Sequence, residues 1–260
     1  MLLGNPSAAT SDAANSDNYL MVKPYFALSY DNSAGEPKWV SWRLCNADLG
    51  NAPRKKTFDP DDTLPAGFNV ILTRDYSGTG FDRGHMCDHS DRAATLDSSY
   101  STFIMTNIVP QAPNNNRKCW AQLENYCREL ARSGDRLYIT AGPAGRGGVG
   151  GRGSADTLAD GRVLVPAETW KVIVVTPDRG SDDLSNINAE DRVIAVDVPN
   201  DNNQCGEDWS GFRCSPATIE SQTGLHFFAG LPDDVRAALD AKVDHQFIPL
   251  PRPLFHTSGE

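Results

Sequence analysis

The sequence has no long hydrophobic run. None of its apolar stretches approaches the roughly 20 residues that a bilayer-spanning helix requires, so we expect no transmembrane segment. The first residues also lack the positive charges that open a secretory signal, and the apolar run that starts at Met1 already stops at Gly4. We therefore expect either synthesis for the cytoplasm or a signal peptide that has been removed.

Several short functional motifs are missing as well. The chain has no CxxC pair, which disfavours a zinc ribbon. The glycine-rich stretch at residues 142–154 is not closed by GKS or GKT, so we interpret it as a long loop and not as a phosphate cradle. Zinc-finger spacing and an RNP motif are absent too, so nothing in the sequence indicates a module that reads bases.

Positive charge is scarce over the whole chain. The sequence has 24 basic and 34 acidic residues and a net charge of −10, which argues against nucleic acid as a partner because phosphate binding usually needs a basic surface. The deficit is uneven, since residues 41–140 contain twelve basic and twelve acidic residues. A small cationic site on an acidic body is therefore compatible with a polyanionic substrate.

The pattern of hydrophobic residues predicts a single domain of mixed α and β structure over residues 1–260. Hydrophobic residues make up 39% of the chain, enough for one sizeable core. Alternation and turn residues predict strands, and apolar residues at steps of three and four predict helices. The predicted strands are 25–30, 39–44, 101–109, 136–142, 170–175 and 192–198, and the predicted helices are 117–133, 218–223 and 232–242.

A dense mixture of charges and histidines occupies residues 81–92, FDRGHMCDHSDR. His85 follows Gly84, so we expect a sharp turn there that leaves the imidazole exposed. A lone histidine is more often structural than catalytic. This one becomes a candidate only in combination with a second polar segment.

That second segment is 106–124, where amide side chains crowd immediately before the predicted helix. Asn116 stands near the helix start and Glu124 lies about two turns further on. In a structural interpretation, residues 114–116 cap the helix and Glu124 is a solvated helix residue. In a functional interpretation, the amide and carboxylate oxygens lie near a hard cation such as Mg²⁺, which keeps several of its waters and needs few protein ligands.

The six cysteines leave the redox state open. Cys205 and Cys214 flank a short polar loop that a disulfide would restrain, which favours an exported, oxidised protein. Six reduced and buried thiols are the alternative interpretation.

The chain resembles the DNA/RNA non-specific endonuclease family of the ββα-metal superfamily, and most closely its secreted bacterial and cyanobacterial members. The likeness spans most of the sequence. It is carried by DRGH at 82–85, by TNIVPQ at 106–111, and by Asn116 with Trp120 and Glu124.

This resemblance implies an α+β fold in which a central antiparallel sheet is flanked by helices and the active site lies on a ββα motif. It implies a sugar-non-specific endonuclease that cuts single-stranded and double-stranded DNA and RNA to 5′-phosphorylated fragments. The expected cofactor is one Mg²⁺, with Mn²⁺ as a possible substitute. The expected location is secreted or periplasmic.

The resemblance also assigns roles to individual residues. His85 matches the general base, and Asn116 matches the single direct protein ligand to magnesium. Glu124 matches the carboxylate that holds metal-bound water. Arg83 is the motif arginine beside the base, and Arg54 matches an arginine that contacts the substrate phosphate.

Two positions depart from the family pattern. Arg117 stands where many relatives carry Gln, and we expect it to add a phosphate contact. Relatives commonly have Pro three residues after the catalytic histidine, whereas this chain has Asp88 followed by His89. An extra carboxylate there would alter the affinity for the metal or its pH response.

Cys87 and Cys119 lie within three residues of His85 and Asn116 respectively, so a disulfide between these cysteines would brace the site. Two rival functions stay open. One is a non-enzymatic zinc module formed by His85, Cys87, His89 and Cys119. The other is a nucleic-acid-binding protein of the same fold whose catalysis is impaired by the change of sequence after the histidine.

Overall fold

The computed structural model describes residues 1–206 and 208–248. Its strands in chain order are β1 (Tyr19–Val22), β2 (Ala27–Asp31), β3 (Glu36–Leu44), β4 (Asp82–His85), β5 (Ile108–Gln111), β6 (Asp135–Ala144), β7 (Gly148–Gly150), β8 (Gly153–Ala155), β9 (Thr157–Leu158), β10 (Val163–Leu164), β11 (Glu168–Pro177), β12 (Arg192–Pro199) and β13 (Arg213–Cys214). Its α-helices are α1 (Leu96–Ser101), α2 (Trp120–Arg132), α3 (Pro216–Thr223) and α4 (Asp233–Asp240). Among the described residues no helix is both long enough and apolar enough to cross a bilayer.

The core is built around an antiparallel sheet of seven strands in the order β1-β2-β3-β6-β11-β12-β13. Strand β11 lies near its centre and is buried along almost its whole length. A strand that is buried on both faces needs apolar residues at consecutive positions, which explains the run of hydrophobic residues that β11 contains.

The two faces of the sheet carry separate hydrophobic clusters. On one face Ile173 of β11 packs in a cluster with Trp120 and Leu123 of α2. On the other face Val172 packs in a cluster with Phe227, which follows α3. The molecule is therefore a layer of helix, a sheet, and a second layer formed by chain-terminal segments.

A smaller hairpin leads into the helix on the first face. Strand β4 pairs with β5 in antiparallel register, so that Asp82 faces Gln111 and His85 faces Ile108. After β5 the chain makes a π-helical turn at Asn115–Cys119 that continues directly into α2. This hairpin followed by a helix is a ββα unit, and it brings residues 82–85 beside residues 115–124.

Most of the predicted elements are confirmed. The strands predicted at 25–30, 39–44, 136–142, 170–175 and 192–198 correspond to β2, β3, β6, β11 and β12, and the two late helices correspond to α3 and α4. The predicted helix at 117–133 corresponds to the π-helical turn and α2. The last part of the predicted domain, residues 249–260, lies outside the described residues.

The predicted strand at 101–109 is wrong. Helix α1 ends at Ser101, a 3-10 turn covers Met105–Asn107, and only then does β5 begin. Local side-chain hydrogen bonds cause the difference: Thr102 Oγ1 donates to the carbonyl of Ser99 at 2.8 Å, and Asn107 Nδ2 donates to the carbonyl of Thr102 at 2.9 Å. Such bonds compete with the ladder of a sheet.

The glycine-rich stretch at 142–154 is more ordered than a loop. Its first residues belong to β6, and β7 pairs with β8 as a hairpin with Gly148 opposite Ala155. The hairpin packs against the segment before β4, where the amide of Gly151 donates to the carbonyl of Gly80 at 2.7 Å. A Cβ on Gly80 would lie 2.6 Å from the backbone nitrogen of Arg152, so only glycine allows this approach.

Candidate active site

Five of the six predicted site residues line one cleft of about 240 Å³ on the ββα unit. They come from four separate parts of the chain, which the β4–β5 hairpin and the following helix bring together. The lining residues are Arg54, Arg83, His85, Asp88, His89, Asn116, Ala121, Glu124, Asn125 and Arg128. Arg117, the sixth, lines an adjoining depression of about 610 Å³ that shares Arg54, Arg83 and Asn116 with the cleft.

The ring of His85 is buried, with 7% of the residue exposed, which corrects the expectation of an exposed imidazole. It packs between Phe58 and Phe103, whose ring centroids lie 5.1 and 4.8 Å from its own. Gly84 makes no sharp turn, because it lies inside strand β4. Glycine is required there for a different reason: a Cβ would lie 1.8 Å from Oε1 of Gln111, whose side chain crosses the strand.

The imidazole of His85 has a free ring nitrogen. Its Nε2 is buried and has no hydrogen-bond partner among the described residues. Burial lowers the pKa of His85 to about 3, and this effect outweighs the attraction of Asp88 for the protonated ring. The ring is therefore neutral at pH 7 and can accept a proton.

Asn116 is oriented by a carboxylate. Its Nδ2 donates a hydrogen bond to Asp82 Oδ2 at 2.9 Å. Arg117 binds the same carboxylate in bidentate fashion, with Nε 2.7 Å from Oδ2 and Nη2 2.6 Å from Oδ1. The amide nitrogen of Asn116 is thus occupied, and its carbonyl oxygen is the atom left to ligate a cation. We expected Arg117 to contact phosphate. In the structure its guanidinium is paired with the carboxylate of Asp82.

Glu124 faces the cleft from helix α2 and is buried. Burial, reinforced by the negative charge of Asp88, raises the pKa of Glu124 to about 8. Its closest cation is Lys171 on β11, whose Nζ lies 3.7 Å from Oε1. Lys171 is itself buried, and its Nζ lies 4.2 Å from the ring centroid of Trp120, which is the geometry of a cation–π contact.

Two arginines flank the entrance of the cleft. The guanidinium carbon of Arg54 lies 5.2 Å from the ring centroid of Phe103, and that of Arg83 lies 5.3 Å from the centroid of Phe58. Arg83 Nη1 donates to the carbonyl of Thr73 at 3.3 Å, while its buried Nε has no partner among the described residues. Planar guanidinium groups stacked on aromatic rings keep donors directed towards an anion.

Sequence reasoning missed a charge network in the wall of the cleft. Arg128 Nη1 donates to Asp88 Oδ2 at 2.6 Å and to Asp91 Oδ1 at 2.8 Å, and Trp42 Nε1 donates to Asp91 Oδ2 at 3.1 Å. Burial alone would raise the pKa of Asp88, but Arg128, supported by the two histidines, holds it at about 2. Asp88, the residue that departs from the family pattern, is thus neutralised by an ion pair with Arg128.

A signal for this network was present in the sequence. Glu124 and Arg128 are four residues apart and therefore share one face of α2, and that face also carries the apolar residues of the helix. Charged residues on the buried face of a helix indicate either buried ion-pair partners or a functional site. Lys171 lies within the apolar run WKVIVV of a predicted strand, so it too is a charged residue at a buried position.

The donor set fits a cation that keeps most of its own water. Among residues 1–206 and 208–248 no group of three or more His, Cys, Asp or Glu side chains could hold a metal ion. The proposed zinc module is therefore wrong, because Cys87 and Cys119 point into the hydrophobic core while His85 faces the cleft. One amide oxygen with a buried carboxyl nearby suits Mg²⁺, which dehydrates reluctantly.

Comparison with known proteins identifies the family. The family model for DNA/RNA non-specific endonuclease matches residues 3–234. A nuclease from Nostoc sp. is 45% identical over 94% of this chain and 86% of its own length. A nuclease from Serratia marcescens is 28% identical over 87% of this chain and 81% of its own.

Mitochondrial nuclease EXOG of Danio rerio is 33% identical over 78% of this chain and 59% of its own length. A solved structure of the EndoG/EndoGI complex contains a chain that superposes with a TM-score of 0.72 at 24% identity, covering 89% of this chain and 91% of that one, which confirms the α+β fold. The protein belongs to the DNA/RNA non-specific endonuclease family, a family of metal-dependent nucleases, and is itself a hydrolytic endonuclease.

Proposed function

We propose that this endonuclease cleaves phosphodiester bonds with His85 as general base and one Mg²⁺ held by Asn116 and, through water, by Glu124. The observation that carries the proposal is the free Nε2 of His85 in the same cleft as the Asn116 amide and the Glu124 carboxyl. The expected products carry a 5′-phosphate and a 3′-hydroxyl. When bound, the cation supplies positive charge that stabilises the additional negative charge on the phosphate in the transition state.

His85 would take a proton from the attacking water through Nε2. A pKa of about 3 makes a weak base, and this value belongs to the cleft without substrate. A phosphate in the cleft stabilises the imidazolium electrostatically and raises the pKa of His85 during the reaction. The buried ring, clamped between Phe58 and Phe103, does not need to reorient.

Asn116 would ligate the cation through its carbonyl oxygen, because Asp82 engages its amide nitrogen. A neutral ligand leaves the charge of the cation almost undiminished for the substrate. Glu124 would lose its proton when a cation binds and would then accept hydrogen bonds from the water around it. Mn²⁺ uses the same oxygen ligands, so we expect it to substitute.

Arg54 and Arg83 would contact the phosphate groups of the substrate at the entrance of the cleft. These groups are shared by DNA and RNA, and contacts to them carry no information about the bases. The open depression of about 610 Å³ beside the cleft favours access by single and double strands alike. This accounts for cleavage that ignores both sugar and sequence.

Plasmid digestion tests the mechanism. Wild-type protein with Mg²⁺ should nick and then degrade the plasmid, EDTA should stop the reaction, and His85→Ala should lower the rate by roughly 10²- to 10⁴-fold. His226→Ala, an exposed histidine near the other face of the sheet, is the matched control and should retain full activity. Full activity with EDTA or in the His85 variant contradicts the proposal. A plasmid that is retarded but uncut favours the binding protein with impaired catalysis.

We propose further that residues 1–260 form one domain and that the protein acts after export, in the periplasm or outside the cell. The continuous seven-stranded sheet, which joins strands from both halves of the chain, supports a single domain. Limited proteolysis that releases a stable fragment would argue against one domain. Fractionation of the source cells tests the location.

A further inference from the structure

Two cysteines that are 86 positions apart in the sequence meet beside the active-site segment. Cys119 is the last residue of the π-helical turn that contains Asn116, and it is fully buried. Cys205 follows β12 and is 5% exposed. The side chains belong to the same buried cluster, and the thiol of Cys205 lies close enough to that of Cys119 to raise its pKa.

Hydrogen bonds to backbone carbonyls fix the position of each thiol, and Asn115 links the two segments that carry them. Cys119 Sγ donates to the carbonyl of Asn115 at 3.7 Å, and Cys205 Sγ donates to the carbonyl of Pro199 at 3.5 Å. The side chain of Asn115 closes the arrangement, since its Nδ2 donates to the same Pro199 carbonyl at 3.1 Å. The turn that carries Asn116 and the loop after β12 are therefore already joined by a polar network around the thiols.

All six cysteines are free thiols in the structure, so the positions of the thiols decide which of the expected pairings is possible. Cys205 and Cys214 could not pair, since Cys205 belongs to the cluster with helix α2 and Cys214 packs against the cluster on the opposite face of the sheet. Cys87 lies in the same cluster as Cys119, but the thiol whose proximity raises the pKa of Cys119 most is that of Cys205.

We propose that Cys119 and Cys205 form a disulfide in an oxidising environment, and that this disulfide fastens the loop after β12 to the turn that carries Asn116. The oxidant is a small disulfide such as oxidised glutathione. One protein thiolate attacks it, which releases one glutathione thiol and leaves a mixed disulfide. The second protein thiolate then displaces the other glutathione. Two protein thiols are oxidised, and two glutathione thiols leave with the two hydrogens.

The burial of both sulfurs determines when the disulfide forms. Thiolates are the reactive species, and the pKa of Cys119 is raised by its contact with Cys205 and by burial. The disulfide therefore forms during folding or when the loop opens, and it resists reduction in the folded protein. A structural crosslink fits these properties better than a rapid redox switch.

Peptide mapping tests the disulfide directly and does not depend on nuclease activity. The full chain is folded with a glutathione redox buffer, alkylated without reduction, and digested. We expect one crosslinked peptide that contains Cys119 and Cys205, with a mass two hydrogens below the sum of its parts, and alkylated Cys214. Alkylation of both Cys119 and Cys205, or a crosslink from either one to another cysteine, overturns the proposal.

Thermal unfolding supplies a second readout. Since a disulfide restricts the unfolded chain, adding dithiothreitol should lower the Tm of the oxidised wild type by roughly 5–10 °C. Cys214→Ser is the matched control and should show the same fall. Cys205→Ser should show none, and an equal fall in that variant would overturn the proposal. If Cys205→Ser does not fold, the wild-type peptide map still decides. Because neither measurement uses a substrate, loss of the proposed catalytic mechanism would leave the result standing.

Discussion

At the scale of single residues, Asp82 organises the metal-binding side of the site. Its carboxylate accepts hydrogen bonds from Asn116 and Arg117 at the same time. In the proposed mechanism the amide must present its oxygen to the cation, and the bond to Asp82 fixes that orientation. Groups that orient a metal ligand typically matter 10- to 100-fold for affinity or activity.

We therefore predict that Asp82→Asn raises the Mg²⁺ concentration needed for half-maximal activity by about 10- to 100-fold. The asparagine can turn an NH₂ group towards Asn116 and compete with the required orientation. Titration of activity with Mg²⁺ measures the effect. Asp62→Asn, an exposed aspartate without a partner among the described residues, is the control and should leave the titration unchanged. An unaltered Mg²⁺ requirement in Asp82→Asn would show that the bond does not orient the ligand.

The raised pKa of Glu124 predicts how the stability of the protein depends on pH. Its pKa is raised from an ordinary 4.5 to about 8, first by burial and then by Asp88, so the folded state binds the proton more tightly than the unfolded state. Stability falls with rising pH wherever the folded state holds more protons, so the contribution of Glu124 is lost between pH 4.5 and 8. The loss is at most about 1.4 kcal/mol per pH unit.

Glu124→Gln should remove that loss. In metal-free buffer the Tm of the wild type should decline from pH 5.5 to pH 8 more steeply than the Tm of Glu124→Gln. The exposed Glu129→Gln on the same helix is the control and should follow the wild type. Mg²⁺ should restore more stability at pH 8 than at pH 5.5, because a cation favours the ionised carboxylate. Parallel curves for the wild type and Glu124→Gln would contradict the assignment.

At the scale of elements, the sequence correctly predicted the strands and helices that depend on the local pattern of apolar residues. Strand β11 and its neighbours follow from continuous apolar runs, and the helical run before Gly134 follows from apolar spacing. The strand predicted at 101–109 was wrong because serine, threonine and asparagine side chains donate hydrogen bonds to the nearby backbone and stabilise turns there. The proposed site residues came from motifs, and the structure brings five of them into one cleft. The pairing of Arg128 with Asp88 was not predicted, because it depends on how α2 packs against the turn after β4.

The position of the β7–β8 hairpin predicts a contact between Arg152 and the substrate. Arg152 lies between the two strands, is exposed, and makes no hydrogen bond or ion pair within the described residues. Its guanidinium is close to Gly78, since Nη1 lies 3.7 Å from the position of a Cβ there, and Gly78 lines the depression beside the cleft. A cation at that rim is positioned to contact a phosphate away from the bond that is cut.

Arg152→Ala should therefore raise the KM for long DNA severalfold and leave the hydrolysis of bis(p-nitrophenyl) phosphate unchanged, because the small ester does not reach the hairpin. Arg132→Ala is the control, since this exposed arginine ends helix α2. Steady-state kinetics on both substrates separates the two effects. Equal losses on the long and the short substrate would indicate a structural defect, and no loss on DNA would exclude the hairpin from binding.

At the scale of the whole molecule, an acidic protein must bind an acidic polymer. The net charge of −10 lies outside residues 41–140, which are electrically neutral and contain the cleft. Long-range attraction to DNA is therefore weak, and binding depends on a few arginines at short range. Each phosphate contact on double-stranded DNA contributes about 0.9 to the slope of log affinity against log salt.

Two or three such contacts, from Arg54, Arg83 and Arg152, predict that kcat/KM for double-stranded DNA falls only about 10- to 40-fold between 50 and 200 mM salt. Hydrolysis of bis(p-nitrophenyl) phosphate over the same range serves as the control for effects of salt on the chemical step. A fall of about 10³-fold or more would require six or more phosphate contacts, and the substrate would then have to reach basic residues beyond this cleft. The salt slope thus measures how much of the surface the substrate covers, and Arg152→Ala should reduce it by about one contact.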